Sequence, residues 1–240
     1  MSDLQIRLSP RAITRALAGA AILLVLLSVA GQLWFHLTPR ESPWGIVGFF
    51  NVDFEMNLPT FFSVLVLLLA ALLLAIIAIL KRQARAPYVF HWGLLALGMF
   101  IIGMDEFTAL HEKLSEPLRR LLAWEVMGAF HFAWVIPGII LVAVLAVLYY
   151  RFVMDLGREM RIRFLVSGFV FLAGAIGLEL IGGRYAEAHG SWNLTYSMIT
   201  TVEESLEMAG SILLVDALIR YMAREYGAVR LVLGEKREHS

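Results

Sequence analysis

No cysteine occurs in the 240 residues. That excludes disulfides, thiolate nucleophiles, iron–sulfur clusters and zinc ribbons, and leaves the redox environment unspecified. Charge is scarce: charged residues make up 17% of the chain, against about 25% in soluble proteins. Twenty basic residues balance twenty acidic ones, so no net field draws nucleic acid or an acidic partner, and nucleic acid is excluded. The chain also lacks an internal repeat, an inverted pair of broken helices, a GxSxG elbow, a P-loop and a dinucleotide fingerprint. Apolar side chains are what it has in quantity. With 60% hydrophobic residues and a mean hydropathy of +0.75, the chain reads as an all-α integral membrane bundle.

A span needs about 20 mostly apolar residues. Six stretches qualify, at 16–37, 59–80, 88–111, 125–152, 162–183 and 198–221. Uninterrupted runs such as 64–80 exclude a barrel of short alternating strands. The first stretch follows Arg7, Arg11 and Arg15 like a signal peptide, but its apolar run is too long for one and reads as an uncleaved helix. With the N-terminus inside, fifteen Lys and Arg fall on cytoplasmic segments: Arg7, Arg11, Arg15, Lys81, Arg82, Arg85, Arg151, Arg158, Arg161, Arg163, Arg220, Arg224, Arg230, Lys236 and Arg237. Only five, Arg40, Lys113, Arg119, Arg120 and Arg184, fall outside, which predicts an N-in, C-in orientation. Residues 1–240 form one transmembrane domain. Its outer loop, 38–58, carries Trp44, Phe49, Phe50 and Phe54, as suits the headgroup layer, and residues 227–240 form a polar cytoplasmic tail.

Ionisable residues inside spans are costly and therefore mark function. They collect in this chain. The third span ends on Asp105-Glu106 and His111-Glu112, the fourth carries Glu125 and His131, the fifth Glu179, and the sixth opens with Glu203, Glu204 and Glu207. In the six-span topology all of these sit in the outer half of their helices, which argues for one site. At about 100° per residue, Asp105, Thr108, His111 and Glu112 share one helix face, with Glu106 off it. Gly210 and Ser211 continue the Glu203–Glu204–Glu207 face, and Gly168, Gly174, Gly177, Gly182 and Gly183 on the fifth span suit close helix packing around Glu179. So many neighbouring carboxylates need protons or a cation to coexist. The candidate metal ligands are Asp105, His111, Glu112, His131, Glu179, Glu203, Glu204 and Glu207, for a divalent ion such as Zn, Mn, Fe or Ca. Protonated carboxyls bonding helix to helix, and a proton or ion path, are the alternatives. Glu106 and Glu125 read as interfacial, His36 and His91 as structural, and Asp216 is placed to pair with Arg220 at i+4.

Several motifs fail. Position 115 is Ser, so His111-Glu112 does not open an HExxH zinc motif, and no Glu-x-x-His pair exists for a di-iron bundle. The outer loop places oxygen side chains at Asn51, Asp53, Glu55 and Asn57, but Leu58 and Val64 stand where an EF-hand needs Gly and Glu. Asp53, Glu55 and Thr108 remain candidate substrate- or ion-binding groups. A haem between His111 and His131 is disfavoured by the carboxylates around them.

The run Asn57-Leu58-Pro59-Thr60-Phe61-Phe62-Ser63, the Asp105-Glu106…His111-Glu112 block, Gly177-Leu178-Glu179 and Glu203-Glu204…Glu207-Met208-x-Gly210 together resemble a family of small bacterial polytopic membrane proteins of unknown function, across about residues 50–215. That resemblance implies a bacterial inner-membrane location and no particular activity. Membrane hydrolases of the alkaline ceramidase and adiponectin-receptor type differ: they bind zinc through three histidines, including a His-x-x-x-His pair that this chain lacks. Three functions stay open: a metal-dependent enzyme acting on a lipid or lipid-linked substrate, a cation channel or transporter using the same carboxylates, and an assembly partner. Membrane lipid is the expected partner, and a homo-oligomer is left open.

Overall fold

Three helices begin where side chains satisfy the otherwise orphaned first N–H groups. In the computed structural model, which describes residues 9–38, 45–122 and 128–227, Ser9 caps α1 (Pro10–Leu37), Asn57 caps α3 (Leu58–Gln83) and Asn193 caps α9 (Leu194–Tyr226). A proline in the first turn of α1 and of α3 sits where a missing N–H costs nothing. A short helix, α2 (Ile46–Phe50), lies in the 38–58 loop. Then come α4 (Val89–Thr108), α5 (Leu110–Leu122), a 3₁₀ turn at Gly128–Phe130, α6 (Val135–Asp155), α7 (Arg158–Leu172) and α8 (Glu179–His189). The described residues are all-helical, without a strand.

Five stretches are long and apolar enough to cross a membrane: α1, α3, α4, α6 and the continuous rod Arg158–His189. The 33-residue α9 is the longest single helix but carries Glu203, Glu204, Glu207, Asp216 and Arg220 along its length. It is the central post, packed against α1, α3, α7 and α8. Leu74, Ile77, Val215 and Leu218 have no exposed surface and, with Trp92 and Phe152, fill the end of the bundle where α3 and α9 finish. Lys81 and Glu225 pair there at 3.2 Å.

Three span boundaries differ from the sequence reading. The stretch 88–111 is not one helix: Ala109 adopts a left-handed φ of 46°, so α4 stops at Thr108 and His111 and Glu112 ride on the separate α5. The shared helix face drawn through Asp105, Thr108, His111 and Glu112 is therefore broken. Among the described residues of the fourth span the α-helix starts at Val135, and His131 lies in the irregular segment between it and the Gly128–Phe130 turn. Within the fifth, Ala173–Leu178 forms one π-helical turn, a widening often found at functional sites. Trp44, Glu125 and the tail beyond residue 227 fall outside the described residues.

Close packing explains two of the glycines. A Cβ on Gly174 would stand 2.7 Å from the Glu203 carbonyl oxygen, and one on Gly210 would stand 2.5 Å from the Phe171 nitrogen. These contacts seat the α7–π rod directly on α9. Gly168 has open space around it and plays no such part.

Candidate functional site

The acid-bearing ends of α4 and α9, the π turn, α5 and the 51–55 loop enclose one cavity of about 780 Å³. Its walls carry Asp53 and Glu55 from the loop, Asp105 and Glu106 from α4, and His111 and Glu112 from α5. Glu116, Glu179, Glu203, Glu204 and Glu207 complete the acidic lining. Thus the structure brings together seven of the eight candidate ligands and two of the three candidate binding groups.

His131 and Thr108 are the exceptions. His131 Nδ1 lies 3.3 Å from Glu187, and its carbonyl accepts two bonds from Arg119, at 3.1 and 2.7 Å, so it braces the turn before α6. The Thr108 hydroxyl donates to the Met104 carbonyl at 2.9 Å, as threonines near helix ends often do, and is absent from the cavity wall. Glu106, read as interfacial, belongs on the wall; the helix face that excluded it extended past the break at Ala109.

The break has a local cause and a local use. Asp105 accepts from the His111 backbone N–H at 3.0 Å and from its Nδ1 at 2.5 Å, bridging the end of α4 and the start of α5. A carboxylate on Nδ1 fixes the ring's tautomer and leaves Nε2 available. Burial disfavours the His111 cation, but the Asp105 hydrogen bond and charge, aided by Glu112 and Glu179, hold its pKa above the ordinary value. Trp134 Nε1 donates to Glu179 at 2.7 Å.

The 51–55 loop is pinned by a buried polar network. Gln32 Nε2 lies within hydrogen-bond distance of Ser28 Oγ, Asn51 Oδ1 and Thr201 Oγ1, at 3.0, 2.7 and 3.2 Å, tying α1, the loop and α9 together. The Val52 N–H donates to Ser28 Oγ at 3.0 Å. This holds Asp53 over the cavity, where burial raises its pKa to about 6, countered by a Thr200 hydrogen bond and assisted by Glu112 and Glu179. Burial likewise raises Glu55 and Glu112. Sequence reasoning missed this network; its signal was Ser28 and Gln32, one turn apart in an otherwise apolar helix.

Ser115 is buried on the wall, 8% exposed, and its hydroxyl has no hydrogen-bond partner. No three His, Asp or Glu side chains among the described residues stand in an arrangement that holds a metal ion. The acids surround a volume rather than a point.

The fold and cavity define a class: an all-helical protein with several membrane-length helices and an acid-lined chamber at one end. Residues 16–221 match the family described as Domain of unknown function (DUF8692), and the chain belongs to that family. No curated protein and no solved structure matches. The expectation of an uncharacterised family is borne out.

Proposed function

We propose that the chain is a six-span, N-in, C-in protein of a bacterial inner membrane. In this reading its chamber opens to the periplasm, holds a divalent cation, and acts as a metal-dependent enzyme site on a lipid or lipid-linked substrate. α9 supports the sixth span because it begins beside α3 at the chamber and ends beside it at the Lys81–Glu225 pair, covering the same depth. Among the described residues, Lys81, Arg163, Arg220 and Arg224, all counted towards the orientation, make their ion pairs towards that second end.

The single observation that carries the reading is a carboxylate-lined chamber backed by a packed apolar floor. Ten Asp and Glu side chains line the wall, against Arg119, His36 and His111. Below them Leu74, Ile77, Val215 and Leu218 leave no exposed surface, which suits a dead-end pocket better than a conduit. Asp216, deeper on α9, is taken up by Arg220 at 2.7 Å, as expected, and by Arg163 at 3.1 Å.

Glu179, Glu203, Glu204 and Glu207 would hold the ion, with oxygen ligands drawn in to about 2.0–2.6 Å. The cation would supply Lewis acidity and acidify a bound water. His111, oriented by Asp105, is placed to take up a proton at Nε2. Metal analysis of the purified protein, beside a variant with Glu204→Gln and Glu207→Gln, tests this. Near-stoichiometric metal in the wild type, lost in the variant, is expected. A wild type without metal, combined with cation flux in liposomes that the variant abolishes, would replace the enzyme with a channel.

A further inference from the structure

The chamber has an apolar annex. Below the acids its wall passes to Ile102 on α4, Leu141 and Val142 on α6, and Phe171, Leu172 and Ile176 on the α7–π rod. Leu141 and Val142 lie seven and eight residues beyond Trp134, about 10–12 Å down the helix at 1.5 Å per residue. This is bilayer depth.

The annex opens sideways along the middle of α6, whose chamber end is held by fully buried Val135 and by the Trp134–Glu179 bond. Its far end is fixed by buried Phe152 against Trp92 and by the Tyr149 hydroxyl, which donates to the His91 carbonyl at 2.9 Å. The stretch between stands off: Ile139, Ile140, Leu141 and Val144 are all exposed, Leu141 at 58% while also lining the cavity. Within a membrane-crossing helix, what meets such a cleft is a lipid chain.

Headgroup chemistry follows from the polar end. Surplus carboxylates complement a cation and repel a simple anionic headgroup. They accept hydrogen bonds, so an ammonium bearing N–H donors fits where a trimethylammonium, without donors, does not. On α5, the unpartnered Ser115 hydroxyl and Arg119, one turn apart, offer a donor and a positive charge for a phosphate. We infer that the chamber binds a phosphatidylethanolamine-type lipid from the side. One acyl chain would lie between α6 and the α7–π rod, the phosphate at Ser115 and Arg119, and the primary ammonium among the carboxylates. The inference rests on the membrane reading of the chamber and not on the metal.

The test uses the full-length protein in phosphatidylcholine vesicles with trace phosphatidylethanolamine, phosphatidylglycerol or phosphatidylcholine nitroxide-labelled on the acyl chain. Electron spin resonance should show a motionally restricted fraction larger for the ethanolamine lipid than for the other two. Val142→Trp, filling the cleft from α6, should remove that excess, and so should Ala175→Leu from the opposite wall. Equal fractions for the three headgroups in the wild type would overturn the inference whether or not the variants fold. So would an ethanolamine excess that survives both substitutions. Metal content of the same wild-type sample separates the two proposals: metal without headgroup preference sinks only the lipid inference, and headgroup preference without metal sinks only the cation.

Discussion

Protons decide much at the residue level. His111, held above its ordinary value of 6.5, contributes stability that is present below that pH and lost as pH rises through its elevated value. Asp53, raised from 3.8 to about 6, favours the fold while neutral; that contribution is present below its ordinary value and lost as pH rises through about 6. Glu55 and Glu112 are raised and act in the same direction. All four signs agree, so the thermal midpoint in metal-free detergent should fall between about pH 5 and pH 8. Asp53→Asn should flatten the slope near pH 6. A midpoint that climbs over this window would contradict the placement of these groups. Asp105→Asn is a sharper probe, because it weakens both the His111 ring contact and the bond to its backbone N–H. Charged-group hydrogen bonds contribute about 1.5–3 kcal/mol, so a loss of roughly that size is expected in denaturant titration, with His111 returning towards its ordinary pKa by NMR.

The helices divide into those packed through side chains and one packed through the absence of side chains. The α7–π rod rests on α9 with backbone against backbone at Gly210. Gly210→Ala should therefore cost about 1–3 kcal/mol, the usual penalty for overpacking. Gly168→Ala, with nothing within 4 Å, should be neutral or gain up to about 1 kcal/mol in helix propensity. Unfolding in graded denaturant distinguishes them, and equal effects would refute the close approach. Much at this scale was legible in the sequence: apolar runs of span length and carboxylates gathered near one end needed no coordinates. Three features were not. The break at Ala109 depends on Asp105 folding back onto the next helix, which no propensity of alanine announces. The π turn leaves no periodic trace in a stretch apolar on every side. His131 was drawn into the candidate site by being placed within the fourth-span helix, whereas it precedes the start of α6 at Val135 and turns its ring towards Glu187. The acids were readable because charge in an apolar helix is conspicuous, whereas Ser28 and Gln32, being uncharged, were not.

At the scale of the whole molecule, orientation and span number come down to which ends share a side. α3 and α9 run together from the chamber to the Lys81–Glu225 pair, and Asp216 accepts from Thr14 at 2.8 Å, bringing the start of α1 close to the lower half of α9. These pairings put the N-terminal end of α1 on the same side as the C-terminal ends of α3 and α9. The proposed six-span topology requires that arrangement, and it would fail if α9 lay along the surface. The lack of native cysteine makes the question directly measurable, since a single introduced thiol is labelled without background. Met56→Cys and Ala188→Cys, both exposed at the chamber end, should react with a membrane-impermeant maleimide in intact cells. Ala84→Cys, Gly157→Cys and Arg224→Cys, exposed at the opposite end, should react only after permeabilisation. Arg224→Cys carries the most information. Were it labelled in intact cells while Ala84→Cys stayed protected, α9 would not cross, and the carboxylates of its first turns would lose their common depth with Asp105. Were all five labels reversed, the chamber would face the cytoplasm, and the substrate would come from the inner leaflet.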